Sequence, residues 1–189
     1  IGTTSFQPIT GARGGALPAL TPATGEDKGY CGSKLRPEVM TTLPSGHLFA
    51  AGSVCDQESN PPAVERWEPG KKQGTLDLLP RIPEEHYLDC MGIVARAPND
   101  VWLAGTVRDR GKTQRAYLVH FDGKEWKQEQ APASGAVVGL WLQPDGVLWL
   151  AAGSELWTLA AGPGAAWSQV SLPKLPEDAG LQPPEILSV

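Results

Sequence analysis

The chain is poor in several residue types that carry recognisable chemistry. Its 189 residues include three His, three Cys, two Met, three Tyr and three Phe. Lys and Arg number 16 against 21 Asp and Glu, a formal net charge of −5. With no basic stripe either, the sequence excludes the phosphate-tracking surface that nucleic-acid binding requires. No apolar run approaches the roughly 20 residues of a membrane-spanning helix. Cys31, Cys55 and Cys90 have no CxxC spacing and no His-rich neighbour, so they mark no metal site. No HExxH, Ser-centred nucleophile elbow or paired-carboxylate signature occurs, and nothing predicts a catalytic residue or a cofactor. His47, His86 and His120 have no carboxylate at a meaningful spacing. His120, on a strand in a repeat position, reads as a structural hydrogen-bonding residue.

What the chain does have is punctuation and tryptophan: 22 Gly, 18 Pro and seven Trp. Gly and Pro at this density divide a chain into many short elements. Large rings on short strands suit sheets packed on sheets. The segments PSGHLFAAG (44–52), PNDVWLAG (98–105) and PDGVLWLAAG (144–153) are copies of one another, each a turn followed by an apolar strand ending in small residues. Their spacing of about 50 residues lies in the period range of β-propeller blades. Around these copies the pattern predicts strands at 38–43, 47–55, 63–67 and 75–79, then 88–97, 101–107, 116–121 and 125–130, then 136–142, 147–152, 155–159 and 167–172. Asp122-Gly123 is a strong hairpin signal. No segment carries a helical stripe.

These features predict an all-β fold, a β-propeller of about three four-stranded blades plus the start of a fourth. The units run 35–82, 83–133, 134–176 and a partial 177–189, after an irregular arm at 1–34. The small residues ending each second strand are expected to allow close approach near a crowded axis. Residues 182–189 repeat the start of 143–150, and the chain begins at Ile1 without Met, so it reads as a processed or cut piece. Association with the rest of a longer propeller, or self-association, would then close the ring.

The second unit, Asn99-Asp-Val-Trp-Leu-Ala-Gly105 followed by Tyr117-Leu-Val-His-Phe-Asp-Gly-Lys-Glu-Trp126, resembles the bacterial secreted β-propeller repeat proteins. Their blades carry DVWxxG followed by LxHxDGxxW, and they are distantly similar to sialidase-type and photosystem-assembly-factor propellers. The first unit has Gln73 in place of the closing Trp, and the third lacks the His-Phe-Asp-Gly step but keeps Trp167. The sialidase Asp-box, SxDxGxTW, is absent from every unit. The resemblance implies a repeat scaffold that is secreted, periplasmic or attached to the cell envelope.

The long loops at 56–62 and 108–114 share one end of the predicted blades, where binding residues of a rigid scaffold are expected. Arg108, Arg110, Lys112 and Arg115 form a local cluster of cations that could receive a carboxylate, sulfate or phosphate. Asp56, Glu58 and Asn60 put oxygen groups at alternate positions of the other loop, without the Gly and distant Glu of a calcium loop. A disulfide is expected between Cys31 and Cys55, at one edge of the first hairpin, leaving Cys90 free; Cys55–Cys90 is the second choice. The function expected is non-enzymatic binding of a protein or glycan through the loop face. The alternatives are a propeller-fold glycan hydrolase or lyase, or a structural subunit of a larger envelope complex.

Overall fold

The computed structural model describes residues 35–54, 61–82, 86–109, 114–162 and 164–173, with the backbone alone at 86 and 109. Twelve strands and no helix occur among them. They are β1 (Leu35–Thr42), β2 (Leu48–Val54), β3 (Pro62–Trp67), β4 (Thr75–Leu78), β5 (His86–Ala97), β6 (Asp100–Asp109), β7 (Gln114–Phe121), β8 (Trp126–Glu129), β9 (Val137–Leu142), β10 (Leu148–Ala152), β11 (Glu155–Leu159) and β12 (Trp167–Val170). They form three four-stranded antiparallel sheets, each ordered as the strands occur in the chain. No described helix is long and apolar enough to cross a membrane. The arm at 1–34, the partial unit from 177, and both members of the expected Cys31–Cys55 pair lie outside the described residues.

The repeat extends to a defect in the ladder. In each sheet the first strand carries one extra residue opposite the end of the second: Glu38 opposite Gly52/Ala51, Met91 opposite Gly105/Ala104, and Val138 opposite Ala152/Ala151. Such a bulge bends and twists its strand, and its recurrence fixes a residue-by-residue correspondence. It also explains the small residues. A Cβ on Gly52 would run into the carbonyl of Arg36, and one on Gly105 would lie 2.5 Å from the Asp89 carbonyl. The crowding at these two positions comes from the neighbouring strand of the same sheet.

By count from these bulges, Leu43, Arg96 and Gln143 correspond, as do Gly46, Asn99 and Gly146, and His47, Asp100 and Val147; in β5 Arg96 is itself the extra residue of a second bulge, between Ala95 and Ala97. Gly46 and Gly146 both have positive φ, +88° and +87°, which the tight turn requires. The turn proline of the second sheet, Pro98, stands one place later than Pro44 and Pro144.

The sheets stack in one sense. Phe49, Ala51 and Val64 of the first sheet pack on Leu88, Ile93, Val101, Leu103, Val119, Phe121 and Trp126 of the second. From the second sheet's other face, Trp102, Ala104 and Leu118 pack on Leu140, Leu148, Leu150 and Leu159 of the third. The first strands are successive neighbours, β1 against β5 and β5 against β9. The middle sheet thus loses both faces to packing, which is why β6 is buried without interruption from Val101 to Val107.

Tryptophan closes the outer strands. Trp126 packs with Phe121 at 5.2 Å between the first two sheets, and Trp167 meets Trp102 edge-on at 6.1 Å between the second and third. Strand register puts Gly74, not Gln73, at the equivalent place in the first sheet, opposite Trp67. A Cβ on Gly74 would lie 2.9 Å from the Trp67 ring, so the large side chain has moved to the facing strand. Trp149 occupies the register position of Phe49 and Trp102. It stacks on Trp141 at 6.0 Å, on the face of the third sheet turned away from the second. Its indole N–H has no partner among the described residues, whereas that of Trp102 donates to Asp100 at 2.9 Å. Val147 stands at the register position of Asp100, so the third sheet lacks that acceptor.

Candidate functional site

The sheets present two ends. At the turn end, Gly46 abuts Pro69 and Gly123 abuts Asn99, so the turns on either side of each sheet's middle strands lie together. The loop end carries the start of β5, the end of β6 and the start of β7.

At the turn end two grooves run between sheets at equivalent places, and they are built differently. In the second–third groove, Arg96 of β5 reaches across to the third sheet. Its Nε donates to the Gly146 carbonyl at 2.8 Å and its Nη2 to the carbonyls of Leu159 and Ala160 at 2.8 and 3.2 Å. Beside it, Asp100 lies 3.6 Å from Arg96 and 2.9 Å from His120 Nε2. An ionised carboxylate only accepts, so His120 Nε2 carries the proton. Hydrogen bonding to His120 first, then to Trp102, with the Arg96 charge adding to it, holds the Asp100 carboxyl below the usual carboxylate range. The His120 ring lies flat on Trp102 at 4.3 Å. His120 therefore does have a carboxylate partner. Sequence spacing hid it because a strand pair brings the two together across 20 positions.

In the first–second groove Leu43 stands, by count, where the bulge residue Arg96 stands, and the register equivalents of Asp100, His120 and Trp102 are His47, Arg66 and Phe49. Arg66 forms a two-pronged ion pair with Asp77, its Nη2 3.2 Å from Oδ1 and its Nε on Oδ2. Its guanidinium lies over the Phe121 ring at 4.7 Å, and Asp77 Oδ2 also accepts the Trp126 indole N–H at 3.2 Å. His47 Nδ1 is bonded to Ser45 Oγ at 2.9 Å. With no arginine reaching across, a cleft of about 210 Å³ remains, lined by His47, Arg66, Trp67, Glu68 and Asn99 over Phe49 and Phe121. Among the described residues neither Glu68 nor Asn99 has a side-chain partner.

Further contacts tie the sheets together away from the turn end. Glu38, the bulge residue of β1, accepts the Cys90 backbone N–H at 2.7 Å. Tyr117 donates its hydroxyl to the Pro80 carbonyl at 2.9 Å, and burial holds the phenol well above its ordinary range. Thr106 Oγ1 accepts from Val137 N at 2.9 Å. Cys90 is a buried free thiol, which removes the Cys55–Cys90 pairing. Burial first, then the charges of Glu38 and Asp89, push it up to about 12. Such a thiol is a packing residue, not a nucleophile.

The expected site residues divide. Arg108 and Arg115 are placed at the loop end. Arg110, Lys112, Asp56, Glu58 and Asn60 lie outside the described residues. Arg108 Nε sits 2.6 Å from Asp89 Oδ2, so one of the expected free cations has a carboxylate beside it; the N–H is poorly aimed and the attraction is mostly ionic. Both side chains remain open, 43% and 37% exposed, and Tyr87, directly opposite Arg108 on β5, is 53% exposed. Arg115 is exposed on β7 opposite Val107, on the other face of the sheet from Tyr87, Asp89 and Arg108. The sequence reading missed Tyr87 and Asp89; alternation along β5 with Leu88 and Cys90 inward was the available signal. No group of three or more candidate metal ligands occurs among the described residues.

No family model matches the chain and no curated protein matches it. Among solved structures the chain is similar to selenomethionine-substituted virginiamycin B lyase from Staphylococcus aureus, at 8% identity and a TM-score of 0.32, over 72% of this chain and 56% of that one. The chain spans just over half the length of that protein.

Proposed function

We propose that the three sheets are consecutive blades of a β-propeller, and that the protein is a non-enzymatic scaffold, secreted or held at the cell envelope, that binds a protein or glycan through its loop end. The recurring bulge and the same-sense stacking through β1, β5 and β9 support the blade reading. Stacked blades repeat their loops at one end, giving a composite rim on a rigid body.

One observation carries the binding reading: the side chains of Tyr87, Asp89 and Arg108 stand open together on one face at the loop end of the middle sheet, with Arg115 exposed on the other face. Tyr and Arg are the residue types that dominate binding energy at protein interfaces, and an accessible ion pair at the rim adds orientation. This composition favours a protein over a glycan.

The test is affinity capture from the native envelope with the whole chain and with a Tyr87→Ala/Arg108→Ala variant, run beside a glycan array. A protein held by the native chain and lost by the variant supports the reading. Equal retention by both removes the loop end from the contact, and a glycan hit lost by the variant replaces the protein with a sugar at the same site.

A further inference from the structure

The two grooves at the turn end differ in one respect that points to a ligand. In the second–third groove the protein supplies its own occupant, the Arg96 guanidinium, which donates to the carbonyls of Gly146, Leu159 and Ala160. Strand register makes the corresponding carbonyls of the first–second groove those of Asn99, Phe121 and Asp122. Leu43 stands at the Arg96 position and cannot donate to them. The groove is left as an open cleft of about 210 Å³. That is smaller than the roughly 300–1,000 Å³ of a drug-sized site. It suits the end of one side chain.

We propose that this cleft receives the guanidinium of an arginine side chain from a partner polypeptide, seated between the first and second sheets as Arg96 is seated between the second and third. The charges that line the cleft leave one carboxylate unmatched. Arg66 is matched by Asp77, and Lys127 is matched by Asp122 and Glu125. Of Arg66 and Glu68, which both line the cleft, Arg66 is paired and Glu68 has no ion-pair partner among the described residues; Lys71, Lys72 and Lys124, close by in sequence but not lining it, have none there either. Asn99 brings an amide oxygen, and Trp67 an aromatic surface of the kind on which guanidinium planes stack. A guanidinium offers five donors in a planar fork, the complement of converging carbonyls and one carboxylate. This inference is independent of the loop-end reading, since the cleft lies at the opposite end of the sheets.

The test uses acetyl-arginine amide as probe and acetyl-citrulline amide, its uncharged near-isostere, as control. The indole N–H of Trp67 and the backbone amide of Asn99 are followed by NMR on the whole chain. The expected result is a saturable shift of both signals with the arginine probe, and binding about tenfold weaker with citrulline or in Glu68→Gln, as loss of one charge-assisted contact requires. Glu68 is exposed on a turn, so that variant keeps the fold. A Leu43→Arg variant should fill the cleft from within and abolish the shift. If Leu43→Arg does not fold, Glu68→Gln decides. No shift with the arginine probe, equal binding of citrulline, or undiminished binding by Glu68→Gln each overturns the proposal.

Discussion

Asp77, on the last strand of the first sheet, accepts the indole N–H of Trp126, on the last strand of the second, at 3.2 Å. The same carboxylate holds the Arg66 guanidinium against Phe121. One side chain therefore joins a salt bridge, a hydrogen bond between sheets and a cation–π contact. Both members of the ion pair are 21% exposed, so solvent only partly replaces a lost partner.

Replacing Asp77 should accordingly cost more than a surface ion pair would. Asp77→Ala leaves Arg66 and Trp126 without their acceptor and should destabilise by about 3 kcal/mol. Asp77→Asn keeps an acceptor for the indole and should cost about half as much. Urea unfolding of both variants measures this; a loss below 1 kcal/mol for Asp77→Ala would place the pair with ordinary surface bridges.

The repeat itself was legible, and the reason is local. Pro144-Asp-Gly146 and Asp122-Gly123 can only turn, and a strand such as β7 ends at the next breaker, Asp122-Gly123. Each of the twelve expected strands has an observed counterpart, paired with its chain neighbours. The groove chemistry was not legible. Whether Arg96 spans two sheets depends on which face of β5 meets which face of β9, and strand periodicity does not carry that information. The same holds for Asp100 and His120, and for Trp67 taking over the space that Trp126 and Trp167 fill in the other sheets. Loop-end chemistry was half legible: Arg108 and Arg115 stood out as charges, whereas Tyr87 gained meaning only from its cross-strand neighbour.

Gly52 and Ala152 are equivalent across the bulges, yet exchanging glycine and alanine should cost much more at one than at the other. Gly52→Ala drives a methyl into the Arg36 carbonyl and should destabilise by about 3 kcal/mol, the upper range for overpacking. Ala152→Gly removes a methyl from a strand and should cost only about 1 kcal/mol. Thermal unfolding of the two variants tests the correspondence, and a tolerated Gly52→Ala would show that β1 gives way at its bulge.

The Asp100–His120 pair predicts a specific acid response. The Asp100 carboxyl is held below its unfolded value, chiefly by His120. A depressed folded pKa gives stability that is present above the unfolded value of about 3.9 and is lost as pH falls through the folded value. Asp100→Asn should therefore flatten the decline in stability below about pH 4. Unfolding free energies measured from pH 2.5 to 8 give that acid limb, and an unaltered limb in the variant would mean the pair contributes nothing to it.

Cys90 offers a probe of whether the first two sheets open. Its thiol is buried between them and pushed up to about 12, by burial before the nearby carboxylates. Thiolate is the reacting form, so at pH 8 the folded protein holds almost none of it at this position. Disulfide-exchange reagents should label Cys90 only as fast as the protein unfolds, and the rate should rise with urea in step with global unfolding. Glu38→Gln removes the carboxylate that both raises the thiol and accepts the Cys90 backbone N–H. If labelling in that variant accelerates without a matching loss of global stability, the first and second sheets part locally along β1 and β5. If rate and stability change together, the two sheets open only as one cooperative unit.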